Sequence, residues 1–129
     1  MAQRNLINQN LHDNVIQVAY NNLDKIKHDV YTNPNQQKNT HISNNYPDII
    51  ITDKGSKTAK FIIEVETADS ISYDETQQWK SYSVLGGVFY LLVPLNLKPQ
   101  AELLCRQQGI KARFGTYRVE NSRIVISYE

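Results

Sequence analysis

Three features are scarce in this sequence: cysteine, long apolar runs and net charge. A single cysteine, Cys105, stands among the 129 residues, so no disulfide can form within the chain. The first ten residues, MAQRNLINQN, lack the apolar run of a signal peptide or a membrane span, and we therefore expect an intracellular, cytoplasmic protein without a membrane partner. A formal net charge of +1 indicates neither a strongly basic nor a strongly acidic surface and leaves the ligand class open.

The length and the apolar periodicity predict one α/β domain over residues 1–129. A chain of this size can bury roughly two-thirds of its unfolded surface around one core. Apolar residues recur at three- and four-residue steps from Leu6 to Lys27, which predicts a first helix. His28–Thr32 is typical of a short strand, and the Asn- and Gln-rich stretch Asn33–Asn45 is typical of a surface loop.

The remainder of the chain alternates strands with helices. The predicted elements are a hairpin of Tyr46–Thr52 and Lys60–Thr67, a helix that begins with a Ser72–Glu75 capping box and ends near Leu85, a strand Val88–Val93, a helix between Pro99 and Gly109, and two strands, Ala112–Val119 and Arg123–Tyr128. Val88–Val93 is continuously apolar, which indicates a central strand covered on both faces. The order α-β-β-β-α-β-α-β-β predicts a central mixed β-sheet flanked by helices.

The predicted hairpin brings three acidic residues to one end of the sheet. Directly opposed residues of an antiparallel pair have a constant sum of numbers, so a turn centred near Ser56 places Asp48 opposite Glu64. Glu66, two residues further along, projects from the same face as Glu64. These acids could simply face water, but opposed like charges are destabilising without a partner, and a hard cation such as Mg²⁺ is the simplest partner. The sequence therefore predicts a divalent-metal site at Asp48, Glu64 and Glu66.

Two short motifs carry a resemblance to a known superfamily. Pro47-Asp48 followed by Glu64-Val65-Glu66 resembles the PD-(D/E)xK nucleases, in which an aspartate opens the second core strand and an acidic-x-lysine triplet lies on the third. The segment Gln78-Trp79-Lys80-Ser81-Tyr82 is similar to the Q-x-x-x-Y signature of the RecB-like branch. The resemblance implies a restriction-endonuclease-like αβββαβ core, here extended by a carboxyl-terminal helix and strands.

The resemblance also implies a function and a set of roles. The expected reaction is hydrolysis of DNA phosphodiester bonds with Mg²⁺ or Mn²⁺ as cofactor. Asp48 and Glu64 would be metal ligands, together with the carbonyl of Val65. Gln78 and Tyr82, one helical turn apart on the same face, would position the substrate or the site. A homodimer would let two such sites cut both strands, although no residue in the sequence marks an interface.

Position 66 departs from the superfamily pattern. The superfamily usually has a lysine there, whereas this chain has glutamate, which could be a second metal ligand or accept a proton from the attacking water. A lysine from elsewhere is the alternative. Lys60 lies on the same face but about 20 Å along the strand, and Lys80 should point away from the side of Gln78.

Several other residues have ordinary structural interpretations. Cys105 follows Leu103 and Leu104 on an amphipathic helix, which favours a buried structural thiol over a nucleophile. Trp79 is expected to pack the second helix against the sheet, with stacking on bases as the alternative. Three histidines lack the spacing of zinc ligands: His12, His28 and His41. A group of basic residues could contact phosphate or merely face solvent: Lys98, Arg106, Lys111, Arg113, Arg118 and Arg123.

Three hypotheses of different classes remain at this point. The first is a metal-dependent deoxyribonuclease that acts through Asp48, Glu64 and Glu66. The second is a catalytically silent module with the same fold that binds nucleic acid or a protein partner, and the glutamate at position 66 motivates it. The third is a subunit whose acids only complete an assembly.

Overall fold

The computed structural model describes residues 4–34 and 45–129. Within these residues the chain forms three α-helices and six strands. The helices are α1 (Leu6–Asn21), α2 (Thr76–Ser83) and α3 (Lys98–Gln108), and the strands are β1 (His28–Thr32), β2 (Ile49–Asp53), β3 (Ala59–Val65), β4 (Val88–Pro94), β5 (Arg113–Glu120) and β6 (Arg123–Tyr128). The predicted order of elements is confirmed. Most of the predicted loop Asn33–Asn45, with His41, lies outside the described residues.

The six strands form one mixed sheet in the order β1-β2-β3-β4-β5-β6. The pairs β1–β2, β2–β3 and β5–β6 are antiparallel, whereas β3–β4 and β4–β5 are parallel. Parallel neighbours need a crossover connection, and α2 and α3 provide the two crossovers. The predicted mixed α/β class is confirmed. No helix of the described ranges has the length and apolarity to cross a membrane.

The two faces of the sheet have separate cores. Helices α2 and α3 cover one face, where the main buried side chains are Ile50, Ile62, Trp79, Tyr82, Phe89, Leu91, Val93, Ala101, Cys105 and Phe114. Helix α1 covers the other face, where they are Val15, Ile16, Ala19, Ile49, Ile51, Ile63, Val65, Leu92 and Tyr117. Consecutive residues of β2 and β3 are therefore buried alternately on opposite faces, as the apolar runs of a doubly covered strand require.

Helix α1 is shorter than predicted. It begins at Leu6, where the side chain of Asn5 accepts a hydrogen bond from the amide of Asn8 at 2.8 Å. It ends at Asn21 instead of Lys27. The carboxylate of Asp24 accepts hydrogen bonds from the amides of Ile26 and Lys27. This local turn competes with the hydrogen-bond pattern that would continue the helix.

The predicted register of the β2–β3 hairpin is confirmed. Ile49 pairs with Ile63 and Ile50 with Ile62, so the numbers of each pair sum to the value expected for Asp48 opposite Glu64. A bulge shifts the register only after Ile51, on the side of the turn. The other end of the hairpin therefore keeps the geometry that the sequence predicted.

The predicted capping box at Ser72 is wrong. Tyr73–Glu75 forms a 3₁₀ turn, α2 begins only at Thr76, and the Ser72 side chain makes no capping hydrogen bond to the described backbone. The reason is the direction of Glu75, which is 8% exposed and buries its carboxyl instead of reaching back to the Ser72 amide. The glutamate that the motif assigns to a cap is therefore available for another role.

Helix α3 and the last two strands lie close to their predicted positions. Gly109 ends α3 with a φ of 67°, the left-handed conformation that glycine adopts readily. Asn121 and Ser122 both have positive φ in the two-residue turn between β5 and β6. Cys105 is buried as predicted, and burial raises the pKa of its thiol to about 11, which suits an unreactive structural residue.

Candidate carboxylate site

Asp48 and Glu64 meet where β2 begins and β3 ends. The Asp48 amide donates a hydrogen bond to Glu64 Oε1 at 3.1 Å, and the Val65 amide donates one to Asp48 Oδ2 at 2.7 Å. The residues Asp48 and Glu64 are 7% and 5% exposed, respectively. The hairpin register therefore brings the two acidic side chains together in one buried position. Each side chain accepts a hydrogen bond from a backbone amide on the other side of the hairpin.

No cationic side chain of the described residues forms an ion pair with Glu64, and the pKa of its carboxyl reflects this. Burial raises the pKa of Glu64 well above its usual value, and the nearby carboxylates of Asp48 and Glu66 raise it further. The surroundings of Glu64 therefore favour the protonated form of its side chain more than water does. A bound cation would reverse that preference, because an adjacent positive charge stabilises the carboxylate.

His12 contacts the same aspartate from α1. Its Nε2 lies 3.0 Å from Asp48 Oδ2, and its Nδ1 lies 3.0 Å from Asp13 Oδ1. Burial alone lowers the pKa of His12, but Asp48 and the hydrogen bond of Asp13 outweigh it, so the pKa is raised. Since both ring nitrogens face carboxylate oxygens, the doubly protonated imidazolium fits this geometry, and it supplies a positive charge beside Asp48.

Glu66 pairs with Arg4, which lies just before α1. Arg4 Nη2 is 2.9 Å from Glu66 Oε1, and the side chains of both residues are buried. Arg4 also donates to the Val65 carbonyl at 3.2 Å and to Thr67 Oγ1 at 2.9 Å. The carbonyl that the resemblance assigns to a metal ion is thus bound by a guanidinium in this structure.

The second oxygen of Glu66 is also bound. Trp79 Nε1 donates to Glu66 Oε2 at 2.7 Å, and Ser70 Oγ donates to Oε1 at 2.8 Å. Burial raises the pKa of Glu66 to about 8, while Arg4 and these two donors limit the rise. Trp79 packs α2 against the sheet as predicted, and its indole N–H has the additional task of binding this carboxylate.

Gln78 and Tyr82 are in direct contact on α2. Gln78 Nε2 donates to the Tyr82 hydroxyl at 2.7 Å, as expected for residues one turn apart. Tyr82 is 2% exposed, and burial together with the charge of Glu64 raises the pKa of its hydroxyl. The structure therefore brings this pair to the carboxylate end of the sheet.

Four of the basic residues considered in the sequence are either paired or exposed. Lys60 Nζ lies 3.3 Å from Asp53 Oδ1, at the opposite end of the hairpin, and Lys80 is exposed on α2. Among the basic residues of the last third, Lys98 and Arg118 are each paired with a glutamate.

Sequence reasoning missed Arg4 and undervalued His12 and Glu75. His12 has a readable signal, because it shares a buried helical stripe with Val15 and Ala19, and a titratable residue on such a stripe needs a partner. Arg4 has no comparable signal, since its partners lie 61 to 66 positions away in the chain. Glu75 was hidden by the capping motif.

Comparison with protein-family models, with curated proteins and with solved structures finds no match for this chain. The superfamily assignment therefore rests on the short motifs alone and stays a hypothesis. Among residues 4–34 and 45–129, no three His, Cys, Asp or Glu side chains are arranged so that all could hold one metal ion.

Proposed function

We propose that this chain is a metal-dependent, nuclease-like hydrolase of DNA phosphodiester bonds with a PD-(D/E)xK-like fold. The observation that carries the proposal is the buried contact between Asp48 and Glu64, in which the Asp48 amide binds Glu64 Oε1. Two acids buried together without equal compensation are costly for stability, which suggests a ligand that repays the arrangement. The mixed α/β sheet and the order of its elements are compatible with the proposed fold.

The acids present fit one divalent cation, held by Asp48 and Glu64. Mg²⁺ typically binds through one or two carboxylates plus water, so this pair is sufficient. Val65 and Glu66 fit less well as ligands, because Arg4 already binds the carbonyl of the first and Oε1 of the second. When bound, the cation would lower the pKa of its water and offset the charge of the phosphate.

The surrounding residues would act on the substrate and on the ligands. His12 holds Asp48 Oδ2 in place through a 3.0 Å contact, and Arg4 holds Glu66. Gln78 and Tyr82 would orient the phosphodiester backbone or the acids beneath it. This chemistry is compatible with a monomer and with a homodimer. A homodimer would allow two sites to cut the two strands of a duplex.

The test is cleavage of supercoiled plasmid and of single-stranded DNA with Mg²⁺ or Mn²⁺. Asp48→Asn and Glu64→Gln keep the shape of each side chain and should abolish cleavage, whereas Asp53→Asn at the other end of the hairpin should cut like the wild type. Circular dichroism establishes that each variant is folded. Equal cleavage by all four proteins would exclude this site.

A second function is favoured by the position of Arg4. Its guanidinium donates hydrogen bonds to the Val65 carbonyl and to Glu66 Oε1. This arrangement is expected if a side chain of the protein, and not a metal ion, stabilises the cluster. In that case the protein would be a silent module that binds nucleic acid or a protein partner. Salt-dependent DNA binding without cleavage in any divalent metal would support it, and metal-dependent nicking would exclude it.

A further inference from the structure

Glu75 is a buried acid with an unexplained oxygen. It lies in the 3₁₀ turn Tyr73–Glu75 and is 8% exposed. Its Oε2 is buried and has no hydrogen-bond partner in the described part of the chain. An unsatisfied buried carboxylate oxygen is costly, so we expect a donor from outside the described residues, such as a bound water molecule, to bind it.

The position of Glu75 directs it to the carboxylate end of the sheet. It lies one helical turn before Trp79 and two before Tyr82, and residues at this spacing share one face. Trp79 Nε1 binds Glu66 Oε2 at 2.7 Å from that face. Glu75 lies in the turn immediately before α2 and so adjoins the helix face whose Trp79 binds Glu66.

The charges around Glu75 agree with this placement. Burial raises the pKa of Glu75, Arg4 lowers it and Asp48 raises it. Glu75 in turn raises the pKa of Glu66. The four acids therefore form one electrostatic group, although Glu75 is separated from Asp48 by more than twenty positions in the sequence.

The other members of this group differ from Glu75 in their hydrogen bonds. Asp48 accepts from the Val65 amide and contacts His12, and Glu64 accepts from the Asp48 amide. Glu66 accepts from three side chains: Arg4, Ser70 and Trp79. Glu75 thus differs from the other three acids in having a buried oxygen, Oε2, without a hydrogen-bond partner among the described residues.

The geometry points to Glu75 as a further acid of the proposed cation site, where its Oε2 accepts a hydrogen bond from a water molecule in the hydration shell of a divalent cation bound by Asp48 and Glu64. The inference rests on the proposed function. Mg²⁺ and Mn²⁺ retain bound water, and outer partners that accept from such water orient it and increase metal affinity. Glu75 is accordingly a positioning residue and not a direct ligand.

Titration with Mn²⁺ alone, followed by its electron paramagnetic resonance signal, tests the inference without any assay of cleavage. Glu75→Gln removes the charge at nearly constant shape and should weaken Mn²⁺ binding about 10-fold or more, the range found for outer partners of metal sites. Asp74→Asn removes the same charge from the exposed neighbouring residue and should leave the affinity within about two-fold of the wild type. Equal affinities of wild type and Glu75→Gln would overturn the inference and leave the proposed site intact.

A second measurement uses the wild type and so does not depend on the folding of a variant. In protein labelled with ¹³C at the glutamate carboxyls, substoichiometric Mn²⁺ should broaden the Glu75 and Glu64 resonances and leave Glu102 and Glu120 sharp. A sharp Glu75 resonance beside a broadened Glu64 resonance would overturn the inference alone. If the wild type binds no Mn²⁺ and no resonance broadens, both the proposed function and this inference fail.

Discussion

The buried carboxyl groups at the two ends of the acidic cluster differ in their hydrogen-bond and ion-pair partners. At one end, Glu66 is fully buried and each of its oxygens receives a donor, with Arg4 as an ion-pair partner. At the other end, Glu64 accepts a hydrogen bond from the Asp48 amide but makes no ion pair with a cationic side chain of the described ranges, and Oε2 of Glu75 has no hydrogen-bond partner within them. We call these the paired end and the unpaired end.

This difference indicates which end of the cluster is expected to bind a ligand. A buried carboxylate with a full set of donors behaves as part of the core, and its removal is a matter of stability. The pKa of Glu66 is raised as well, so the distinction is in the partners: a buried carboxylate without a cationic partner can still gain stability from a bound cation. Sequence spacing treats Glu64 and Glu66 alike, whereas their partners make them members of different ends.

The strongest way to break the paired end is Arg4→Met. Above the Glu66 pKa of about 8, the substitution leaves a buried carboxylate without its ion-pair partner, and we expect unfolding in urea at such a pH to show a loss of about 3–5 kcal/mol. The double variant Arg4→Met, Glu66→Met should recover much of that loss, because the uncompensated charge is gone. Lys98→Met breaks an exposed pair with Glu129 and should cost less than about 1 kcal/mol. A comparable loss for both single variants would contradict the distinction.

A milder change at the same end is Trp79→Phe. It removes the indole donor to Glu66 Oε2, and a hydrogen bond to a charged group contributes about 1.5–3 kcal/mol. A double-mutant cycle with Glu66→Gln separates that hydrogen bond from the lost ring volume, and the two substitutions should be strongly coupled. If the losses in the free energy of unfolding of the two single variants simply add in the double variant, the hydrogen bond does not contribute to stability.

The pH dependence of stability tests the protonation of acids at both ends of the cluster. Glu64, Glu66 and Glu75 have a pKa raised above their ordinary 4.5, to about 8 for Glu66, so the folded state retains protons that the unfolded state loses. The free energy of unfolding should therefore fall as the pH rises from about 4.5 to about 8, by at most about 1.4 kcal/mol per pH unit for each proton. Glu64→Gln should make this fall shallower, and Mg²⁺ should flatten it near pH 8. A stability that rises with pH over this range would contradict the protonated state of the cluster.

The smallest expected effect is that of Tyr82→Phe. The substitution removes only the acceptor of Gln78 Nε2, and the half-buried amide can turn to water, so we expect a loss of about 0.5–1.5 kcal/mol in urea unfolding. If Tyr82 also orients substrate, cleavage should fall by more than this loss of stability explains. If the variant cleaves DNA like the wild type, Tyr82 has a structural role in the core and does not orient substrate.

The sequence predicted the backbone of the site well because that backbone follows local rules. The β-branched runs and the turn at Ser56 are sufficient to align Ile49 with Ile63, and the constant sum of numbers then places Asp48 beside Glu64. The order of the predicted elements also indicated the mixed sheet, and the continuously apolar run Val88–Val93 indicated the central strand β4. These features depend on neighbours in the chain or on a short turn.

The partners of the acids could not be predicted in the same way. Arg4 reaches Glu66 across more than sixty positions, and no spacing rule connects them. The capping motif at Ser72 gave Glu75 a local role that burial overrides. A local pattern predicts that acids converge, but long-range packing determines which of them is neutralised.

The reach of Arg4 has a consequence for the order of folding. Strands β1, β2 and β3 pair with their neighbours in sequence, so their association closes shorter loops than the return of Arg4 to Val65, Glu66, Thr67 and Ser70. Short loops close at a lower cost in chain entropy and tend to form earlier. The start of α1 is therefore expected to dock last, on a sheet that already exists. Until that step, the acids at this end of the sheet stay accessible to ions from the solvent.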